Sequence, residues 1–224
     1  MRIVIKLIAV LAGTPIDTAM GVRFVEGYGF EVKGYHVSLS PEEQSLLQVV
    51  HPEKLYEIVS GLLGDMKSIG IETVFVYCNS ISAAVDMDKL SIAHHLRIIT
   101  PLHIYVEMGL EYGCLGVLAA NNQSTHGIER AIQEKSPLTQ VIGTGMLKLV
   151  NAVESGMSPE KIIGTYELPS LLNFYLSAGC EAVILGCTHF SYFYEELKRT
   201  SPLPLIDPTV RMIEKIREDT CLEA

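Results

Sequence analysis

The sequence predicts an α/β fold built as two pseudo-symmetric α/β domains with mostly parallel sheets. Three observations lead there. Strand-like and helix-like segments alternate along the chain, which is the pattern of βαβ units. The apolar run 182–185 has no polar alternation, as expected of a parallel strand covered on both faces. Finally, one stretch is written twice. Gly70-Ile71-Glu72-Thr73-Val74-Phe75-Val76-Tyr77-Cys78 and Gly179-Cys180-Glu181-Ala182-Val183-Ile184-Leu185-Gly186-Cys187 share Gly, Glu, Val and Cys at positions 109 residues apart. The repeat extends to Ile8-Ala9-Val10-Leu11-Ala12 with Leu115-Gly116-Val117-Leu118-Ala119, and to Ile99-Thr100-Pro101 with Ile206-Asp207-Pro208, both at 107 residues. The expected division is a first domain of residues 1–97 plus 206–224 and a second of residues 98–205, the last segment crossing back onto the first. One large sheet is the competing arrangement.

The elements follow in order. Residues 3–12 are the first strand. Gly13-Thr14-Pro15 turns the chain, and Asp17 or Thr18 is suited to cap the helix that follows. A second strand is expected over 30–38. Ser40-Pro41-Glu42-Glu43 reads as a helix start, with Ser40 as cap and Pro41 at the first helical position. Residues 52–69 carry Leu55, Ile58, Val59, Leu62, Leu63 and Met66 at helical spacing. The strand to Tyr77 opens into a polar loop at Cys78, then a helix over 82–96, a short strand over 97–100 stopped by Pro101, and a helix over 102–112. The strand 115–120 leads to the polar loop 121–125, a helix over 127–134, a short strand over 141–143 and a helix over 147–155. Ser158-Pro159-Glu160 is another capped start. A helix over 166–178 feeds the strand to Cys187, and a helix over 192–199 follows. A short strand over 204–206, ended by Asp207-Pro208, precedes a C-terminal helix.

A chain of 224 residues with 48% hydrophobic and 19% charged residues fills a core and is not a disordered segment. Its formal net charge of −9, with no local Lys/Arg cluster, argues against a nucleic-acid partner. Small acidic ligands stay open, because backbone amides can hold an anion whatever the overall charge. Five cysteines, an odd number without a CxxC, do not make a disulfide framework. Free thiols fit a reducing cytosol, so a cytoplasmic protein is expected. Lys6 interrupts the run 3–13, which reads as a buried strand and not as a signal peptide. No stretch approaches the ~18 apolar residues of a membrane span, so no membrane partner is expected.

Gly186 lets the backbone turn, and Cys187, Thr188 and His189 then stand at the carboxyl end of a strand, where ligands bind in open α/β sheets. Cys78 ends the earlier copy. Two halves, each presenting a cysteine at a strand end, suggest a site with one thiol on either side of a ligand. A helix starting just after each would stabilise a thiolate through its N-terminal amides. Such a pair suits inversion at carbon, one thiol removing a proton and the other returning one. A zinc site is the rival reading of Cys and His, but it lacks a fourth ligand. His189 is placed to tune a nearby group during proton transfer, or else to make a structural bond. Asp17 and Thr18 would share the rim of Cys78. Asn79, Ser80 and Thr188 offer donors and acceptors suited to an α-carboxylate and an ammonium, and they are also ordinary turn or capping residues. Cys114, Cys180 and Cys221 read as structural thiols.

Cys78-Asn79-Ser80 and Gly186-Cys187-Thr188-His189 resemble the two signature motifs of the aspartate/glutamate racemase superfamily. The likeness extends over most of the chain, including the duplication and Leu205-Ile206-Asp207-Pro208. It implies an active site in the cleft between two α/β domains and racemisation without pyridoxal phosphate, other cofactor or metal. It implies Cys78 and Cys187 as acid and base, and Asn79, Ser80 and Thr188 as substrate contacts. Thr188-His189 is similar to the glutamate racemase branch. Asp17-Thr18 is the nearest match to that branch's aspartate-serine pair, although Asp17 stands six residues past Leu11. The branch's Gly-Thr-rich loop is here Ala119-Ala120-Asn121-Asn122-Gln123-Ser124, with Gln123 its candidate substrate contact. A homodimer is also implied.

The leading expectation is therefore an amino-acid racemase acting on glutamate or aspartate as its small-molecule partner. No arginine beside either motif fixes the side chain it grips. Another reaction of the superfamily stands second: hydantoin racemisation, maleate isomerisation through a nucleophilic cysteine, or malonate decarboxylation, which needs only one thiol. A non-catalytic protein binding an acidic ligand stands third, motivated by the altered loop at 120–124.

Overall fold

The computed structural model describes residues 7–108 and 110–220. Residues 3–6 of the first expected strand and Cys221 lie outside the described residues. The chain separates into two compact units, Met1–Pro101 with Thr209–Ala224, and Leu102–Pro208. The expected seams at 97/98 and 205/206 lie a few residues before these. Among the described residues each unit holds one four-stranded parallel sheet, ordered β2-β1-β3-β4 in the first and β6-β5-β7-β8 in the second.

In the first unit, β1 (Leu7–Ala12) lies between β2 (Glu31–His36) and β3 (Thr73–Tyr77), and β4 (Arg97–Ile99) is the outer strand beside β3. Ala12 stands opposite both His36 and Tyr77, so β1, β2 and β3 end level. Successive side chains of a strand point to opposite faces. One face collects Ala9, Leu11, Val74, Val76 and Cys78 beneath α3 (Pro52–Ser68), whose Leu55, Val59, Leu63 and Met66 are fully buried. Each such side chain contributes roughly 1.5–3 kcal/mol relative to exposure. The expected stripe holds at these four positions, while Ile58 and Leu62 are only partly covered. The other face receives α1 (Pro15–Glu26), where Phe24 stacks on Phe75 and Tyr77 with ring centres 6.3 and 6.1 Å apart.

α1 begins earlier than the sequence suggests. Thr14, and not Asp17 or Thr18, is its cap: Thr14 Oγ1 accepts from Asp17 N at 3.2 Å. α2 (Pro41–Val49) starts as expected, with Ser40 Oγ accepting from Glu43 N at 3.1 Å. The helix expected over 82–96 is two helices, α4 (Asn79–Ala84) and α5 (Met87–His94). Val85 is extended, and Asp86 caps α5 by accepting from Lys89 N at 2.9 Å. Past the second unit the chain returns in α12 (Thr209–Thr220), with Met212, Ile213 and Ile216 buried.

The second unit repeats the plan. α6 (Pro101–Met108) leads into β5 (Cys114–Ala119), flanked by β6 (Gln140–Gly145) and β7 (Ala182–Gly186), and β8 (Leu205–Ile206) is the outer strand beside β7. Ala119 stands opposite Gly145 and Gly186, matching the level ends of the first sheet. The segment expected to be a loop at 121–125 is already helical. Asn121 Oδ1 accepts from Ser124 N at 2.9 Å and caps α7 (Asn122–Lys135). α8 (Leu147–Glu154), α9 (Pro159–Thr165) and α10 (Leu168–Ser177) follow, then β7, a 3₁₀ helix (Thr188–Phe193) and α11 (Tyr194–Thr200). A helix crosses close over the second strand of each sheet where that strand has glycine. A Cβ on Gly34 would meet Thr18 Cγ2 at 2.6 Å, and one on Gly143 would meet Thr125 Cβ at 2.7 Å.

Cys114 and Cys180, read above as structural thiols, are neighbours in space. Cys114 Sγ and Cys180 Sγ lie 3.7 Å apart. They sit where β5 begins and just before β7, at the end of the sheet away from Cys187. Burial, reinforced by Cys114, pushes the Cys180 thiol up to about 12. Among the described residues no helix is long and apolar enough to cross a membrane.

Candidate active site

Each sheet reverses its order of build beside its first strand, and such a switch point is where open α/β sheets bind ligands. In the first unit the switch lies where β1 and β3 end, at Gly13 and Cys78. In the second it lies where β5 and β7 end, at Ala120 and Cys187. Both cysteines are buried N-cap residues, Cys78 of α4 and Cys187 of the 3₁₀ helix. Neither side chain makes a capping bond to its own helix, so the expected amide cradle for the sulfur does not form in that way.

In the first unit, strand alternation turns Cys78 toward the face that holds Val74 and Val76, and α2 reaches it there. Gln44 Nε2 donates to Cys78 Sγ at 3.1 Å and also to Ser80 Oγ. Ser80 Oγ is 3.2 Å from the sulfur. The Gln44 carboxamide lies over Gly13, in the space a Cβ at that position would take. Asp17 is buried behind the same glycine, its Oδ2 accepting from Gly13 N at 3.2 Å. Thr18 is turned inward: its hydroxyl donates to Thr14 O at 2.8 Å, with Tyr35 O at 3.3 Å. Asn79 is buried in the first turn of α4.

In the second unit, Cys187 Sγ stands 3.7 Å from His189 Nδ1, and His189 Nε2 stands 2.9 Å from Glu154 Oε1 at the end of α8. An ionised carboxylate only accepts, so Nε2 carries a hydrogen, and Nδ1 faces the sulfur as acceptor in the neutral ring or as donor in the imidazolium. A thiol, an imidazole and a carboxylate in line can take up and return a proton. Thr188 is buried beside them. Gln123 is exposed in the first turn of α7, and no bond joins it to this cluster among those described. Among the described residues no group of three or more His, Cys, Asp or Glu side chains is placed to hold a metal ion.

The structure thus joins Cys78 and Ser80 through Gln44, whose carboxamide lies over Gly13 with Asp17 bonded to that glycine, in one unit, and Cys187 with His189 in the other. Two residues of these clusters, Gln44 and Glu154, were not singled out from sequence, nor was Ser124, the repeat counterpart of Asp17. Gln44 is a buried polar side chain on the face of α2 that also buries Leu47, and that interruption of an apolar stripe was its only signal. Glu154 is remote in sequence from His189 and gave none. Ser124, fully buried, stands in α7 where Asp17 stands in α1, and the 107-residue repeat could have found it.

No family model matches the chain. A curated relative, the glutamate racemase of Limosilactobacillus reuteri (strain DSM 20016), is 30% identical over 114 residues. That match spans 48% of this chain and 41% of the relative, less than half of either. Solved structures are similar over nearly the whole chain. The glutamate racemase of Francisella tularensis, in complex with D-glutamate, has a TM-score of 0.72 at 17% identity, covering 96% of this chain and 80% of that one. A glutamate racemase of Bacillus anthracis has a TM-score of 0.73 at 16% identity, covering 98% and 83%. An aspartate racemase homologue from Pyrococcus horikoshii has a TM-score of 0.69 at 14% identity, covering 95% and 98%. The fold is thus that of these solved racemases, and one segment of the sequence is similar to part of a glutamate racemase.

Proposed function

We propose that the chain is a cofactor-independent amino-acid racemase, acting on glutamate first and aspartate next, that inverts Cα by two-base proton transfer with Cys78 and Cys187. One observation carries the reading: the two thiols are equivalent. Each follows the third strand of a sheet of the same order, is the N-cap of the next helix, and is buried. Racemisation asks for that equivalence. A thiolate takes the Cα proton from one face and becomes a thiol, and a second thiol gives its proton to the opposite face and becomes a thiolate. The reverse reaction exchanges the roles, and no co-reactant is consumed.

The Cα–H of an amino acid is a weak acid, so donors fixed in place must stabilise the carbanion-like state with water excluded. Asn79, Ser80 and Thr188 are the nearest candidates, with Thr18 and Gln123 further out. His189, oriented by Glu154, serves the Cys187 side, and Asp17 serves the Cys78 side. The acidic substrate is supported by the D-glutamate held in the Francisella tularensis structure and by the glutamate racemase from Limosilactobacillus reuteri. Free thiols favour a reducing cytoplasm as the place of action, and a homodimer is the assembly this reading carries.

The test is to incubate the protein in D₂O with each enantiomer of glutamate, aspartate and other amino acids, following the Cα–H signal by proton NMR. Loss of signal from both enantiomers of one acid is expected, with inversion abolished by Cys78→Ala and by Cys187→Ala. No exchange with any amino acid overturns the reading.

A second reading, isomerisation through a covalent bond to one cysteine, draws on the Cys187–His189–Glu154 line, which would also suit a nucleophile. A stable adduct with an unsaturated diacid, seen by mass spectrometry, would favour it.

A further inference from the structure

We propose that Gln44 is a positioning residue for Cys78: its carboxamide holds the sulfur in the thiolate form and fixes the direction the sulfur faces. This rests on the reading of Cys78 as a proton-transfer group. Burying an amide is costly unless its hydrogens are used, and Gln44 uses both. One N–H goes to Cys78 Sγ at 3.1 Å and the other to Ser80 Oγ. The second bond bears on how Ser80 meets the sulfur. Ser80 Oγ, 3.2 Å from the sulfur, could be donor or acceptor there. Toward a Cys78 thiolate, which can only accept, Ser80 uses its own hydrogen while its oxygen accepts from Gln44. The thiolate then accepts from both Gln44 and Ser80. Hydrogen bonds to the charged form of an acid favour ionisation.

The carboxamide is held in place from two sides. Ser40 caps α2 and sets its start, and Gly13 leaves the room that the carboxamide occupies. The ionisable groups around this pocket are few. Asp17 on α1 is engaged with Gly13 N. Glu43 on α2 is exposed, its Oε2 accepting from Leu39 N at 2.7 Å. His36 at the end of β2 is exposed, Asp86 accepts from Lys89 N, and α4 has no charged side chain. A neutral amide thus stands beside the Cys78 sulfur, where an imidazole stands beside that of Cys187.

The experiment reads the sulfur directly. The rate of iodoacetamide alkylation at Cys78 is measured against pH by mass spectrometry, in the full chain, for wild type, Gln44→Met and Gln44→Glu. Gln44→Met removes the donor at similar volume and is expected to raise the apparent pKa of Cys78 by about one unit, a tenfold slower reaction on the acid limb. Gln44→Glu keeps the shape and sets a carboxylate against the sulfur, so a larger rise is expected; it carries the test if the Met variant does not fold. The Cys187 profile should not move. An unchanged Cys78 profile in a folded variant overturns the assignment, as does a fall in pKa, which would mean that Oε1 and not Nε2 faces the sulfur. Alkylation needs no substrate, so this inference and the racemase reading can fail separately.

Discussion

Glu154 Oε1 lies 2.9 Å from His189 Nε2, joining the last residue of α8 to the 3₁₀ helix that follows Cys187. Both side chains are largely buried, at 13% and 3% exposed, so the pair is held by packing and not only by charge. The carboxylate orients the ring, and the ring presents Nδ1 to the sulfur. Beside Cys78 Sγ stand instead Gln44 Nε2 at 3.1 Å and Ser80 Oγ at 3.2 Å. The two cysteine clusters are alike in backbone and differ in the side chains described beside each sulfur.

Glu154→Gln tests that asymmetry. The amide keeps the size but can turn its NH₂ to the ring, which frees His189 to adopt the other tautomer. On the proposed mechanism, exchange from the enantiomer that Cys187 would deprotonate should slow by roughly 10–100-fold, a part of what general acid–base catalysis supplies. Exchange from the other enantiomer, started by Cys78, should change less. Initial rates of Cα–H loss from the two separate enantiomers in D₂O measure the ratio. Equal slowing in both directions would remove His189 from a one-sided role.

Thr18→Val separates substrate binding from packing at that position. The hydroxyl is already spent on Thr14 O, with Tyr35 O also near, and the methyl packs on Gly34. Valine keeps the shape and loses the bonds, at about 1 kcal/mol of stability. Urea midpoints should fall accordingly, while KM for the acid found in the exchange assay stays within about twofold of wild type. A large rise in KM without a stability loss would restore Thr18 as a substrate contact.

Ile213→Ala weighs the returning segment. Ile213 is 1% exposed, and Met212 and Ile216 are buried beside it on α12. Arg97 adds bonds from β4 to the carbonyls of Lys215 and Ile216. A large-to-small change at such a site costs about 2–5 kcal/mol. Hydrogen exchange should quicken in α12 and in β4 and leave β5 to β7 protected. Uniform quickening of both units would show that they unfold as one.

The strands were legible because β1, β3 and β7 are covered on both faces and therefore read as apolar runs. The repeat of 107–109 residues then carried the two cysteines to equivalent strand ends. The break at Val85 was hidden: Ile81, Val85, Met87 and Leu90 are all buried, so apolar spacing runs on through a turn whose one sign is Asp86. The loop expected at 121–125 hid a helix because its polar residues are cap and first-turn residues, and Asn121 serves Ser124 locally. Glu154 was illegible because its partner arrives only when α8 packs on the 3₁₀ helix, a tertiary event that no local spacing encodes.

The last prediction concerns alkaline pH and the far end of the second sheet. Cys180 is pushed from 9.0 up to about 12, by burial first and Cys114 next. Tyr175 is pushed from 10.0 up to about 12, mainly by burial, and its hydroxyl donates to Val117 O at 3.0 Å. Both groups ionise more easily in the unfolded chain, so above pH 9 the unfolded state binds fewer protons than the folded one, and stability falls as pH rises. Their contribution is complete below pH 9 and is lost progressively toward about pH 12. Urea midpoints from pH 7 to 11 should therefore fall for wild type and fall less steeply for Cys180→Ala, whose neutral stability is itself lower for want of the buried sulfur. Tyr175→Phe should flatten the upper part of the same curve. Parallel curves for wild type and both variants would mean that neither group is kept protonated by the fold, and that alkaline loss of stability arises elsewhere.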